Sequence, residues 1–192
     1  METAEEIDKI FYEVCIAPSF SAEAKDLLAK KAKRILLEWS MAQYNQPIVR
    51  SCLNGILWQE RDVLNVKEEQ LTYPTKKKPT AAQLKDMLLA DRLVKNTKSN
   101  AIILVKEGRL ISSGTGQTSR VDALRQAIVK AGAFDLSVEG SVMASDAFFP
   151  FPDCIEIAAE AGVSAVIQPG GSIKDNLSIE KCDELGVAMA MS

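Results

Sequence analysis

From Thr80 onward the chain alternates between stretches whose apolar residues fall three and four apart and short, unbroken apolar runs. This is the pattern of helices laid against buried strands. Thr80 caps a predicted helix over AAQLKDMLLADRLVKNT, in which Leu84, Met87, Leu88 and Val94 follow helical offsets and Asp91 is the polar member. Residues 101–105 form a continuous apolar run, Glu107 and Gly108 make a turn, and Leu110 and Ile111 open a second strand that runs into Gly114. The pattern predicts a hairpin. Thr118 or Ser119 then starts a helix with Val121, Leu124, Ala127, Ile128 and Ala131 on one face and Gly132 as its terminator. A strand at 142–144, a helix at 154–161 closed by Gly162, a strand at 164–167, a PGGS turn, a helix at 177–185 closed by Gly186 and a strand at 187–191 complete the series. Repeated helix and strand units after a hairpin predict an α/β fold, a mixed sheet with helices on both faces in three α/β/α layers.

The first third of the chain is less regular. Residues 10–16 read as a strand meeting a turn at Pro18, Ser21 as the N-cap of a helix carrying Leu27, Leu28 and Ala32, and 34–39 as a short strand. Residues 41–47 are polar and turn-like. Residues 49–63, with Leu53, Ile56, Leu57 and Trp58, read as one or two strands bent at Gly55, or as a helix. Lys76, Lys77 and Lys78 precede Pro79 and make the best linker. The resulting division is a first unit at 1–75, a linker at 76–84 and a second unit at 85–192 that carries the ligand loops.

Composition narrows the function classes. With 47% hydrophobic residues, 26% charged residues and a formal charge of -3, the 192-residue chain reads as a globular protein with no nucleic-acid or membrane partner. No run reaches the roughly 18 apolar residues a membrane span needs, and METAEEIDK is no signal peptide. Cys15, Cys52, Cys154 and Cys182 contain no C-x-x-C and read as reduced thiols of a cytoplasmic protein. These residues include no histidine, which excludes an imidazole base and histidine zinc ligation; no metal is expected.

Candidate chemistry collects in four segments at predicted strand ends: 114–120, 146–153, 168–174 and the stretch before Asn100. In GTGQTSR, Gly114 and Gly116 free the backbone for close approach, and Arg120 sits in the first turn of a helix, against its dipole preference, which points to a ligand anion or a carboxylate partner. In SVMASDAFFPFP, Phe148, Phe149, Pro150 and Phe151 follow Asp146 closely; the cluster either walls a ligand or packs a local core. Asp153 caps the next helix or accepts from a ligand. PGGS offers uncovered main-chain donors, with Ser172 as an alternative helix cap, while Lys174 and Asp175 read as solvated. Asn100 closes a turn or holds a substrate amide with its donor and acceptor.

The strings EVCIAPSFSAEA at 13–24, TKSNAI at 97–102, SGTGQTSRVDA at 113–123, MASDAFFPFPD at 143–153 and GVSAVIQPGGSI at 162–173 resemble, in order, the formyltransferase part of the bifunctional purine biosynthesis enzymes, aminoimidazole carboxamide ribonucleotide formyltransferase joined to IMP cyclohydrolase. The resemblance implies cytidine deaminase-like units, the first of them incomplete here, that form an intertwined homodimer without zinc. It implies formyl transfer from 10-formyltetrahydrofolate to the ribonucleotide's 5-amino group. It places Asn100 at the catalytic centre, Glu13, Asn100, Arg120 and Phe148 on the nucleotide, and Val121, Asp153, Cys154, Ser172 and Ile173 on the folate side. It also implies that a lysine-histidine pair and a closing terminal element lie outside these residues. The expected role is therefore half of a site completed by other segments or another chain; the alternative is a catalytically silent ligand-binding or oligomer-forming domain.

Overall fold

The helix after Thr80 forms where its cap puts it. In the computed structural model, which describes residues 1–39 and 47–192, Thr80 accepts from the Gln83 amide while Gln83 reaches back to the Thr80 amide. This reciprocal box satisfies two of the donors a helix start leaves free. All but Pro47 of the predicted 41–47 turn lies outside the described residues. The chain divides into two compact units, Met1–Val63 and Leu64–Ser192.

The second unit is a three-layer α/β/α domain. Its helices are α3 (Ala81–Lys95), α4 (Arg120–Ala133), α5 (Asp153–Glu160) and α6 (Asp175–Leu185); its strands are β5 (Ile102–Lys106), β6 (Arg109–Gly114), β7 (Val142–Ser145), β8 (Ala165–Gln168) and β9 (Ala188–Met191). The strand order is β6-β5-β7-β8-β9. β5 runs antiparallel to both β6 and β7, and β7, β8 and β9 are parallel. The strands read as unbroken apolar runs because both faces are covered. Ile103, Val105, Val142, Ala144, Ala165, Ile167, Ala188 and Ala190 pack with Met87, Ala90 and Val94 of α3. The alternate positions Ile102, Leu104, Met143, Val166 and Met189 pack with Leu124 and Ala127 of α4, Ile155 of α5 and Cys182 of α6. Alanines crowd the α3 face, so a single helix covers it closely.

The β5–β6 turn has positive φ at Glu107 (54°) and Gly108 (70°), as a two-residue hairpin with the right twist requires. Asp86 of α3 accepts from both of their amides, at 2.8 and 2.7 Å. Lys76–Lys78 is not a free linker. Thr75 is fully buried and accepts from the Met189 amide at 2.9 Å, Thr72 exchanges two backbone bonds with Met191, and the Lys76 amide donates to Asp183. The segment thus covers the edge of β9, which would otherwise present unpaired backbone. Gly132 does not end α4 either; the helix runs on to Ala133, and Asp135 takes the left-handed position (φ 54°) beyond it.

The first unit holds α1 (Glu2–Lys9), β1 (Val14–Ala17), α2 (Ala22–Ala29), β2 (Ile35–Glu38), β3 (Ile48–Cys52) and β4 (Gly55–Gln59). β1 and β2 are parallel neighbours joined through α2, and β3 and β4 form a hairpin, the strand reading of that segment. Ser21 caps α2 as its spacing predicts. The helix at Glu2–Lys9 is not assigned by the pattern reading. Arg34 ties this unit together through Asp8 at 2.5 Å and lies 4.2 Å over the Tyr12 ring.

Candidate functional site

Because β6, β7, β8 and β9 point one way and β5 the other, the C-terminal ends of four strands and the start of β5 share one edge of the sheet. All four candidate loops of the second unit therefore meet there, and hydrogen bonds join them in sequence. The Asn100 amide donates to Gln117 O at 3.2 Å, the Gln117 amide returns to Asn100 O at 3.3 Å, and Gly116 N donates to Lys98 O at 2.7 Å. Asn100 Nδ2 donates to Gln117 O and Thr118 O at 2.9 and 3.3 Å. The donor half of Asn100 closes this turn, while its Oδ1 carries no hydrogen bond among the described residues.

Asp146, directly after β7, binds three partners from two other segments. Its carboxylate accepts from Ser99 Oγ and, at 3.0 Å, from the Ala101 amide, and Arg120 stands 3.7 Å from Oδ1. Asp146 is thus the carboxylate that the position of Arg120 calls for. The Arg120 side chain is largely buried, at 20% exposure, and its Nε is enclosed with no hydrogen-bond partner. Its terminal nitrogens make no hydrogen bond among the described residues, so the guanidinium is held there by one long ion pair.

The glycines of GTGQTSR serve the fold first. A Cβ on Gly114 would lie 1.8 Å from Ala123 O, so the close approach there belongs to the backbone of α4 and not to a ligand. Gly116 has φ +64°, which the turn beside Lys98 requires. Ser119 caps α4 through the Asp122 amide at 3.1 Å.

Phe149 is completely buried, and its amide donates to Oε1 of the equally buried Gln168 at 2.8 Å. This bond pins the aromatic loop to the end of β8 and leaves Phe148 and Phe151 outside, exposed at 40% and 52%. Of the two readings of the aromatic cluster, Phe149 follows the core, whereas Phe148 and Phe151 stay outside it. Lys174 lies 4.5 Å over the Phe151 ring, so it is not simply solvated.

PGGS differs from the expectation. The Gly171 and Ser172 amides donate to Asp175 Oδ2 at 2.8 and 3.0 Å, so a carboxylate of the chain already fills the anion position. Ser172 Oγ accepts from Lys174 N rather than capping α6. Asp153, exposed in the first turn of α5, accepts from the Cys154 amide at 2.9 Å. Cys154 itself is 1% exposed and packs in the core, so it cannot line an open pocket as expected; burial first, then the adjacent Asp153 charge, push its thiol up to about 12. Val121 is half-buried against the same core, whereas Ile173 is fully exposed. Glu13 belongs to the first unit, where its side chain is exposed and its carbonyl accepts from Ile35 N.

Two rim residues escaped the site list drawn from the sequence: Asp146 and Gln168. The signal for Asp146 was a carboxylate directly after a buried run. Gln168 had no comparable signal, because a polar residue closing a strand is equally ordinary at a surface. No described helix is long and apolar enough to cross a membrane, and no described cluster of acidic and cysteine residues has metal-holding geometry.

Residues 1–130 match the family described as AICARFT/IMPCHase bienzyme. Among curated proteins, the chain is 52% identical over 186 residues to the bifunctional purine biosynthesis protein PurH of Bacteroides thetaiotaomicron, covering 97% of this chain and 37% of that protein. It is 45% identical over 192 residues to PurH of Bacillus subtilis, covering 99% and 37%. The chain thus spans little more than a third of the length of these relatives. Among solved structures, a dCMP deaminase from the cyanophage S-TIM5 is similar with a TM-score of 0.43 and 23% identity, over 57% of this chain and 98% of that one. A deaminase/reductase from Thermotoga maritima, a diaminohydroxyphosphoribosylaminopyrimidine deaminase, is similar with a TM-score of 0.36 and 21% identity, over 54% and 33%.

These matches correct the expectation of a formyltransferase part working with 10-formyltetrahydrofolate. The matching family is the bienzyme, whose description carries cyclohydrolase as well as formyltransferase and singles out neither. The formyltransferase assignment, the folate cosubstrate and the folate partner are therefore withdrawn.

Proposed function

We propose, from the premise that the chain belongs to the AICARFT/IMPCHase bienzyme family, that its second unit supplies a ribonucleotide-binding rim to a purine-biosynthetic enzyme. The ligand is a nucleotide of the IMP or aminoimidazole carboxamide ribonucleotide type. One observation carries this reading: the rim brings together a largely buried guanidinium whose terminal nitrogens make no hydrogen bond among the described residues and, on the neighbouring loop, an amide oxygen left open. A phosphate is an anion suited to Arg120, and a carboxamide or ring N–H offers the donor that Asn100 Oδ1 lacks. Phe148, two residues after Asp146 and 40% exposed, supplies an apolar face for a heterocycle. We take the first unit as a partial copy of the second unit's deaminase-like fold. The cytoplasm is the matching compartment, because all four cysteines are unpaired there without risk of oxidation.

The test is titration of the chain with IMP and with the aminoimidazole carboxamide ribonucleotide. Binding that weakens by about ten- to a hundredfold in Arg120→Ala, the range expected when a charge-assisted hydrogen bond is lost, supports the reading. Equal binding of nucleotide and of the dephosphorylated nucleoside, unaffected by the substitution, overturns it.

A further inference from the structure

The rim contains a carboxylate where an anion site should not want one. Asp146 lies 3.7 Å from Arg120, with its side chain only 10% exposed, and a negative charge so close opposes any phosphate that Arg120 would hold. Its hydrogen bonds explain its presence. Asp146 joins the loop before β5, through Ser99 Oγ and the Ala101 amide, to the first turn of α4, through Arg120. Its own amide also donates to Ala101 O at 3.4 Å, so both backbone and side chain lock it to the start of β5. Asn100 sits between Ser99 and Ala101, and is therefore fixed on both sides by the same carboxylate.

We propose that Asp146 is the positioning residue of this site: it holds the Arg120 side chain at the rim, pointed by a long ion pair that leaves the guanidinium donors unspent, and sets Asn100 beside it. The inference rests on the ribonucleotide reading above for its ligand and on the geometry alone for its mechanism. A direct pair at hydrogen-bond distance would consume two guanidinium donors. At 3.7 Å the attraction restrains the side chain while the terminal guanidinium nitrogens make no hydrogen bond among the described residues.

Electrostatics and positioning predict opposite signs. Asp146→Asn keeps an oxygen for the Ala101 amide and removes the charge. If Asp146 only repels the ligand, the variant binds nucleotide more tightly. If it positions Arg120, the variant binds about tenfold more weakly, and the effect falls below about twofold in an Arg120→Ala background, because the acting group is already gone. Nucleotide titration of the four proteins of that cycle, at matched ionic strength, reads both. Equal losses in the two backgrounds assign Asp146 a merely structural role and overturn the proposal, as does tighter binding by the single variant. An independent reading uses the unliganded chain: the nitrogen-15 resonance of Arg120 Nε–H is resolved and slow to exchange in the parent and collapses toward the free-arginine position in Asp146→Asn. If no protein of the cycle binds nucleotide, the ribonucleotide reading fails, and this resonance still decides the positioning. An unchanged resonance overturns it.

Discussion

Gly114 and Cys154 illustrate how a residue's neighbours decide its role. At Gly114 the helix backbone occupies the space of a side chain, so Gly114→Ala forces α4 outward and costs about 3 kcal/mol, in the range of overpacked cores. Thermal unfolding of the variant checks this; an unchanged midpoint contradicts the packing. Cys154 and Cys182 are both buried, and burial pushes each thiol up to about 12, so at neutral pH neither offers a thiolate. Thiol-reactive reagent in excess should titrate exposed Cys52 rapidly and leave Cys154 and Cys182 unmodified until the protein unfolds. The chemistry of these residues was legible in the sequence only as residue type. Asn100 and Arg120 could be named as candidates because an amide before a buried strand and a cation at a helix start are locally unusual. That Arg120 faces Asp146, and that the PGGS amides are already taken by Asp175, depends on atoms brought together from distant segments.

The helices and strands were legible where local chemistry starts or stops them. Ser21, Thr80 and Ser119 cap the helices that follow, each side chain accepting the amide three residues on. Thr80→Ala should lower stability by about 1 kcal/mol, measurable by denaturant unfolding, with Thr80→Ser close to the parent. The end of α4 was not legible, because Gly132 is the residue expected to stop a helix and the stop lies three residues later. Asp135 donates to Gly132 O and Leu136 to Ala131 O, at 3.1 and 3.0 Å, the paired bonds of a helix that ends through a left-handed residue. Asp135 holds φ 54° without glycine's freedom, so Asp135→Gly should raise stability by about 0.5–1 kcal/mol. A lower unfolding midpoint in that variant contradicts this account. The Lys76–Lys78 stretch shows the converse error: three charges read as solvated linker, yet the backbone around them is spent on closing the β9 edge.

On the scale of the whole molecule, the two buried thiols link stability to pH. Each ionises near 9.0 when exposed and near 12 when folded, so the unfolded chain loses protons first as pH rises. Their contribution is fully present below pH 9 and falls between 9 and 12, by about 1.4 kcal/mol per pH unit for each thiol. Denaturant unfolding across that window should show a shallower decline in a Cys154→Ala, Cys182→Ala chain; parallel profiles contradict the linkage. The layers themselves follow from periodicity alone: apolar runs at 101–105, 142–144 and 164–167 demand two covered faces, and helices with one apolar stripe supply the covers. Strand order and direction do not follow, since pairing is decided by contacts between residues far apart in the chain. Local propensity and period, acting within a few residues, determined most of the elements, the caps at Ser21, Thr80 and Ser119, and the three-layer architecture. Only tertiary structure decided that β5 enters the sheet against its neighbours, and thereby that Asn100, Arg120 and Asp146 meet at one edge, because a charge or an open donor acquires its partner through space and not along the chain.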